Sequence, residues 1–285
     1  MPALPVRCRQ IEPADISRIV TFRARGSAWQ RASWLHAFKR LDEHSTPSGF
    51  PRYGYLLESG GAVVGVLLLI HSCVPDGDGR LRCSVSNWYV EPAFRTYASM
   101  LASHALKHRS VTYINATPSR HTWPILETQG YLRYCQGVMV SVPALSRQPG
   151  GCCVEAVTGD RAHDHNLPIS ELDLLRTHAD YGCISVICHA KDGSYPFIFS
   201  PRRKATTLPL VHLVYCRDVA DFVRFAGAVG RFLVRQGFPL ALVDSNSPIS
   251  GIAGRYVGNR PKYFKGPDPP RLGDLTYSEV AMFGP

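Results

Sequence analysis

Residues 83–90 combine β-branched and aromatic side chains with no helical repeat and run into Pro92, so a strand is expected there. Ala98, Leu101, Ala102, Ala105 and Leu106 then mark one face of a helix to about residue 108, and Val111-Thr-Tyr-Ile-Asn115 predicts the next strand. A strand-loop-helix-strand unit in so short a stretch limits what the chain can fold into more than any other feature. Its loop opens into a helix N-terminus, where unpaired backbone N–H groups and the positive end of the helix dipole suit a phosphate or pyrophosphate. Arg95 lies inside that loop and can add a charge-assisted bond to the anion.

Upstream, residues 6–10 predict a first strand, and Pro13 with Asp15 introduces a helix to about Phe22. A second helix is expected from Ser33 through Trp34, Leu35, Phe38 and Leu41. Residues 53–58 and 62–71, joined by Ser-Gly-Gly, predict a hairpin, and residues 75–79 form a turn before the central strand. After Asn115 a short helix is expected, with Pro118 in its first turn, Pro124 forbidding a longer one and Gly130 ending it. Residues 131–134 and 138–142 then read as strands.

The order strand, Val90-Glu-Pro-Ala-Phe-Arg95, helix, strand ending in Asn115, short helix, Gly130-Tyr131 resembles the acyl-CoA-binding core of the GNAT superfamily of N-acyltransferases. The resemblance covers about residues 5–142. It implies an α/β (α+β) fold with a mixed, mostly antiparallel sheet around a central β-loop-α-β unit. It implies acyl-CoA or acetyl-CoA as co-substrate and no metal. It also implies that backbone at Trp88, Tyr89 and Val90 aligns the pantetheine and acyl carbonyl. By the same resemblance Phe94, Arg95, Thr96, Tyr97, Ala98, Ser99 and Met100 hold the pyrophosphate, with Asn115 on the splayed neighbouring strand. Two departures stand out. Ala98 and Met100 occupy positions where the family usually carries glycine, and Leu126 occupies the place of a Tyr that serves as general acid on the departing thiolate.

The second half repeats the theme. Strands are expected over residues 153–157, 183–189, 195–200, 208–216 and 240–243, and helices over residues 168–179 and from Asp218 to Gly237. The strand at 208–216 passes to its helix through Arg217-Asp218 alone, with no Pro-x-x-Arg, so a phosphate site is not expected there. Two GNAT-like domains follow, residues 1–142 binding acyl-CoA and residues 152–285 a degenerate copy, joined by a Pro/Gly-rich linker at 143–151. The tail from Ser250 sets basic side chains among aromatics. It reads as a solvated loop packing its rings on the sheet, or as a holder of a sugar, phosphate or nucleotide, before a closing strand over residues 274–283.

Composition narrows the partners. The formal charge is +10, and residues 1–142 hold 16 Lys+Arg against 9 Asp+Glu, which is consistent with a polyanionic ligand. No Lys/Arg-rich block or nucleic-acid motif accompanies it, so nucleic acid is disfavoured as a partner. The longest apolar run, residues 61–70, is far short of the roughly 20 residues a membrane span needs, so no membrane insertion is expected. The first residues do not read as an export signal. Nine scattered cysteines without Cys-x-x-Cys spacing point to reduced thiols in a cytoplasm. Cys152-Cys153 reads as small residues beginning a strand rather than a redox pair, and His163-Asp-His165 as a solvated loop rather than a metal site.

Catalytic residues are not singled out by the sequence. Glu91 sits in the turn after the central strand; Ser84, Ser86 and Asn87 lie along it; His71, His104 and His121 are expected to titrate near neutrality. The leading expectation is an acyl-CoA-dependent N- or O-acyltransferase acting on a small-molecule acceptor. The alternative is a non-catalytic GNAT-like ligand-binding or scaffold protein, motivated by Ala98, Met100 and Leu126.

Overall fold

A computed structural model describes residues 5–26, 30–74, 79–147, 150–158, 167–202 and 208–283. Most of the turn at 75–79, the pair His163/His165 and two residues of the expected linker lie outside them. The described residues fall into two compact units, one from residues 5–74, 79–117 and 265–268, the other from residues 118–264 and 269–283.

The first unit is a five-stranded sheet in the order β1-β2-β3-β4-β5, with β1 Val6–Gln10, β2 Gly54–Ser59, β3 Ala62–Cys73, β4 Leu81–Val90 and β5 Val111–Asn115. The pairs β1–β2, β2–β3 and β3–β4 are antiparallel, and β4–β5 is parallel. Helices α1 (Ile16–Gly26) and α2 (Arg31–Glu43) follow β1. In α2, Trp34, Ala37, Phe38 and Leu41 are buried at the i, i+3, i+4, i+7 spacing of an inward face. Helix α3, Ala98–Ala105, buries Leu101, Ala102 and Ala105. The Tyr89 ring meets Phe22 of α1 at 5.5 Å, and the Tyr55 ring meets His104 of α3 at 6.2 Å. Tyr89 pairs with Val66 and Tyr55 with Leu67, neighbours on β3 that point to opposite faces, so α1 and α3 cover opposite sides of this sheet.

The second unit begins with α4, Trp123–Thr128, and carries strands in the order β12-β6-β11-β10-β9-β8-β7. These are β6 Leu132–Ser141, β7 Cys153–Ala156, β8 Ile184–Ala190, β9 Gly193–Arg202, β10 Leu210–Cys216, β11 Leu240–Ser245 and β12 Gly254–Lys265. Helix α5 is Ile169–Asp180, and α6 is Val219–Arg235. As the periodicity predicts, β10 and β11 run parallel on either side of α6, whose Phe222, Phe225, Ala226, Val229 and Leu233 are buried in the core. Asp218 caps α6 by accepting the Ala220 N–H at 2.8 Å. A 3-10 turn at Pro143–Leu145 lies so close to α6 that a Cβ at Gly230 would strike the backbone of Pro143 and Ala144.

Several expectations are corrected. Pro124 does not end a helix begun at Pro118 but sits in the first turn of α4, where its missing N–H costs nothing. The two short strands at 131–134 and 138–142 are one continuous β6. The expected tail loop is β12, antiparallel to β6, with Lys262, Tyr263 and Phe264 buried. The closing strand over 274–283 is absent. Tyr277 adopts φ 54, which breaks an extended chain, and Glu279–Met282 forms helix α7. None of the nine cysteines forms a disulfide. No helix among the described residues is long and apolar enough to cross a membrane.

On β3, His71 is 2% exposed with its ring 4.7 Å from Phe50, and burial pushes its pKa from 6.5 down to about 4. The unfolded chain therefore takes up this proton at a higher pH than the folded one. The stability it leaves intact above about 6.5 is lost as pH falls toward about 4, to a limit of about 3 kcal/mol. Urea unfolding across that range should show His71→Leu with a shallower acid decline than the parent; parallel declines would refute the assignment.

Candidate functional site

The ladder between β4 and β5 runs from Leu81↔Val111 to Ser84↔Ile114 and stops. Strand β4 continues to Val90, so the edge of residues 85–90 that would face β5 has no backbone partner among the described residues. On its other edge β4 stays paired with β3, except that Val66↔Tyr89 is followed by Leu68↔Ser86. Two steps on β3 against three on β4 define a β-bulge. Asn87 supplies it in the left-handed region, φ 51, with its Nδ2 donating to Ser86 Oγ at 3.0 Å. The bulge turns the strand just where β5 leaves it.

Beyond Val90 the Glu91 N–H donates to Val64 O at 2.9 Å, which fixes the exit of the chain. The expected loop is a 3-10 helix, Pro92–Tyr97, and α3 follows at Ala98. Its tight bonds use some of the amides that an open loop would offer. The Phe94 N–H donates to Glu91 O and that of Ala98 to Arg95 O. The amides of Ser99 and Met100 fall in the first turn of α3, directly after the 3-10 run, and Tyr97 places no side-chain cap there. The Arg95 side chain is exposed and makes no ion pair or hydrogen bond among the described residues.

The sequence-predicted residues are thus distributed along one strand end and the helix entry that follows it. Trp88 and Tyr89 are half-buried and Val90 is buried on the unpartnered rim of β4, and Asn115, 9% exposed, ends β5. Phe94, Ala98 and Met100 are half-buried, whereas Thr96, Tyr97 and Ser99 are exposed. Ser103 Oγ and His104 Nδ1 both bond the Met100 carbonyl, at 2.9 Å each.

Other candidates are reduced. His71 does not titrate near neutrality, because burial holds it neutral. Ser84 and Ser86 are buried within β4. His121 is exposed in a 3-10 turn of the second unit. Leu126 is buried in α4 at 1% exposure. The basic-aromatic tail is partly spent on the interior of its own unit. Lys262 Nζ lies 3.5 Å from Asp244, which also bonds His212 at 3.0 Å, and Tyr263 donates to Glu127 at 2.9 Å. Among the described residues no three His, Cys, Asp or Glu side chains are grouped to hold a metal.

The second unit contains the same strand geometry with a different outcome. Parallel pairing of β10 and β11 ends at His212↔Leu242, and a register shift between Leu213 and Tyr215 puts an extra residue into β10 opposite β9. Here, however, the freed edge is taken by the chain itself. Leu275 N–H donates to Val214 O at 2.7 Å and Cys216 N–H to Gly273 O at 2.9 Å, around an antiparallel bridge between Tyr215 and Asp274. One slot is open and its counterpart is filled.

Two features escaped the sequence. The bulge at Asn87 had one cue, since Asn tolerates left-handed backbone. Arg23 is the other: it falls at the i+4 and i+3 positions from the buried Ile19 and Val20, a charge on an apolar face.

No protein-family model matches the sequence, and no curated protein matches it. Solved structures do. A GCN5-related N-acetyltransferase from Kribbella flavida is similar with TM-score 0.56 and 13% identity, over 92% of this chain and 71% of that one. One from Anabaena variabilis gives TM-score 0.56 and 12% identity over 96% and 74%. A Pyrococcus horikoshii protein assigned as an acetyltransferase gives 0.60 and 14% over 97% and 95%. The fold is the one these acetyltransferase structures share, and the likeness runs through nearly the whole chain rather than residues 5–142 alone.

At φ 51, a β-branched side chain at position 87 is strained whereas glycine is not. Asn87→Val should lose about 1–3 kcal/mol in chemical denaturation, and Asn87→Gly less than about 1 kcal/mol. Equal losses would mean that the left-handed bulge is not the feature that holds β4 open.

Proposed function

We propose that this protein is an acyl-CoA-dependent acyltransferase that moves an acyl group to an amine or hydroxyl of a small-molecule acceptor in the cytoplasm. The observation that carries the reading is the open slot beside residues 85–90, closed by neither β5 nor another segment among the described residues, and followed at once by a helix front with an unpaired Arg95. A thioester arm laid in that slot meets strand-edge N–H and C=O groups that have no other partner. Its diphosphate meets the first turn of α3 at Ser99 and Met100, with the Arg95 guanidinium alongside.

In the reaction the acceptor's nitrogen or oxygen attacks the thioester carbonyl carbon, the carbon–sulfur bond breaks, and the thiolate of coenzyme A takes up a proton. A free N–H on the rim of residues 88–90 suits the oxyanion that develops, since a donor already fixed in place needs no reorganisation. We read the second unit as a degenerate copy of the first, with Gly273–Leu275 in its slot and Asp218 at its helix entry instead of a phosphate loop.

A non-catalytic binding or scaffold protein is the second reading. Leu126 favours it, because the position where the resemblance puts a proton donor holds a buried aliphatic side chain. Release of free thiol from acetyl-CoA across a panel of amines and sugars separates the two readings, and binding without release in every case supports the second.

Calorimetry with acetyl-CoA tests the site. Binding is expected, and Arg95→Ala should weaken it by about tenfold, near 1.4 kcal/mol, at an unchanged melting temperature because Arg95 is exposed. No binding at millimolar ligand, or equal affinity in the two proteins, would overturn the assignment.

A further inference from the structure

Three cysteines come together at one edge of the second unit. Strand β7 is the last of its sheet and holds to β8 alone among the described residues, with Cys153 opposite His189 and Val154 opposite Cys188. Side chains two apart on a strand share a face, so Cys152, just ahead of β7, stands on the face of Val154 and diagonally across from Cys188. Cys188 is 0% exposed in the core of this unit, and the half-buried Cys152 packs against that core. The two thiols share a hydrogen bond. Cys153, by the same alternation, points to the other face and is exposed.

Other buried thiols are placed differently. Cys83, Cys135 and Cys183 donate to the backbone carbonyls of Ser84, Gly137 and Ala281. Two sulfurs already in contact need only a short approach to reach the roughly 2 Å of a disulfide. Diagonal neighbours on paired strands stand at the long end of what that bond spans, so one backbone must give. Cys152 is the side that gives, because it lies outside the β7 ladder and follows Gly150-Gly151, with Gly151 at φ 74.

We propose that Cys152 and Cys188 form a reversible disulfide that staples the edge strand β7 to β8, and that the reagent exchanging with it is a small disulfide of the glutathione class. The Cys152 thiolate attacks one sulfur of glutathione disulfide, a glutathione thiolate leaves, and a mixed disulfide forms on Cys152. Cys188 then loses its proton and attacks the Cys152 sulfur, and the second glutathione leaves as a thiolate that takes up that proton. The protein gives up two electrons and two protons, and one glutathione disulfide becomes two glutathiones. Burial pushes the Cys188 thiol from 9.0 up to about 12, with Cys152 adding to the shift and the Arg224 guanidinium opposing it. Cys188 is therefore the resolving thiol and not the one that meets the reagent. Its thiolate is scarce, but contact with the Cys152 sulfur makes the closing step intramolecular. Excess glutathione reverses both steps, and none of this depends on acyl transfer.

The full-length protein is equilibrated with glutathione and glutathione disulfide at varied ratios, quenched in acid, and its free thiols alkylated after unfolding. With glutathione disulfide alone, peptide mass spectrometry should find Cys152 joined to Cys188, lighter by two hydrogens than the separate peptides. The melting temperature should rise with the link and return on reduction by dithiothreitol. Cys153→Ser should keep the link and Cys152→Ser should lose it, while Cys188→Ala should trap the glutathione adduct on Cys152. Closure of the mixed disulfide should quicken by about tenfold from about pH 7 to about pH 8, as the Cys188 thiolate becomes more abundant. Thiols that stay free at every ratio, a link through Cys153, or a glutathione adduct that never closes in the parent protein overturns the assignment. These outcomes are read on the parent chain, so they stand whether or not a variant folds.

Discussion

Backbone hydrogen bonding between β4 and β5 ends at Ser84 and Ile114, and what surrounds the first unit's candidate site depends on that ending. A strand that loses one neighbour exposes a row of donors and acceptors, which usually invites another chain to pair with it. Here β3 holds β4 on the other edge as far as Gly65↔Val90. The absence of a side chain at Gly65 matters to that hold, because a Cβ there would come within 3.1 Å of a Val90 methyl and 3.0 Å of Leu57. Beyond Ser84 the strand is thus kept in the sheet by one side only, and the bulge at Asn87 falls where its pairing with β5 has ended.

The second unit carries the same geometry with a different filling. Its parallel pair also parts, after His212 and Leu242, and its strand also carries an extra residue. Gly273 and Leu275 then close the slot with backbone bonds to Cys216 and Val214. Unpaired backbone groups away from water are expensive, so a slot without a ligand is better filled by the chain. Residues 269–283 therefore have a structural use in their own unit, and the first unit's slot has no such filling among the described residues.

Much of this was legible in the sequence, for reasons that can be named. The helical faces at Trp34, Phe38 and Leu41 and at Phe222, Ala226, Val229 and Leu233 recur at the period of a helix, and both β-α-β units follow from strand propensity on either side of them. The bulge was not legible, because one Asn in a strand looks like any polar strand residue; only the register of its neighbour reveals the extra step. The 3-10 run Pro92–Tyr97 looks like a loop in the sequence, because Pro92 ends the strand but does not say what comes next. Strand β12 was hidden by Gly254, Gly258 and Pro261, which read as loop residues, although much of it pairs along β6. Tyr277 gave no warning of its left-handed backbone, which is uncommon for an aromatic residue.

Net charge alone suggested a polyanion, and the distribution of partners refines that. Arg9 and Arg18 are bound to Asp15 and Glu58, Arg52 to Asp42 and Lys39 to Glu43, so much of the first half's basic content is neutralised locally. The Arg95 side chain is among those that are not, and it stands exposed just beyond the open end of β4. An exposed cation such as Arg95 is screened by salt, so any anion it holds must be multiply charged or bound through several contacts.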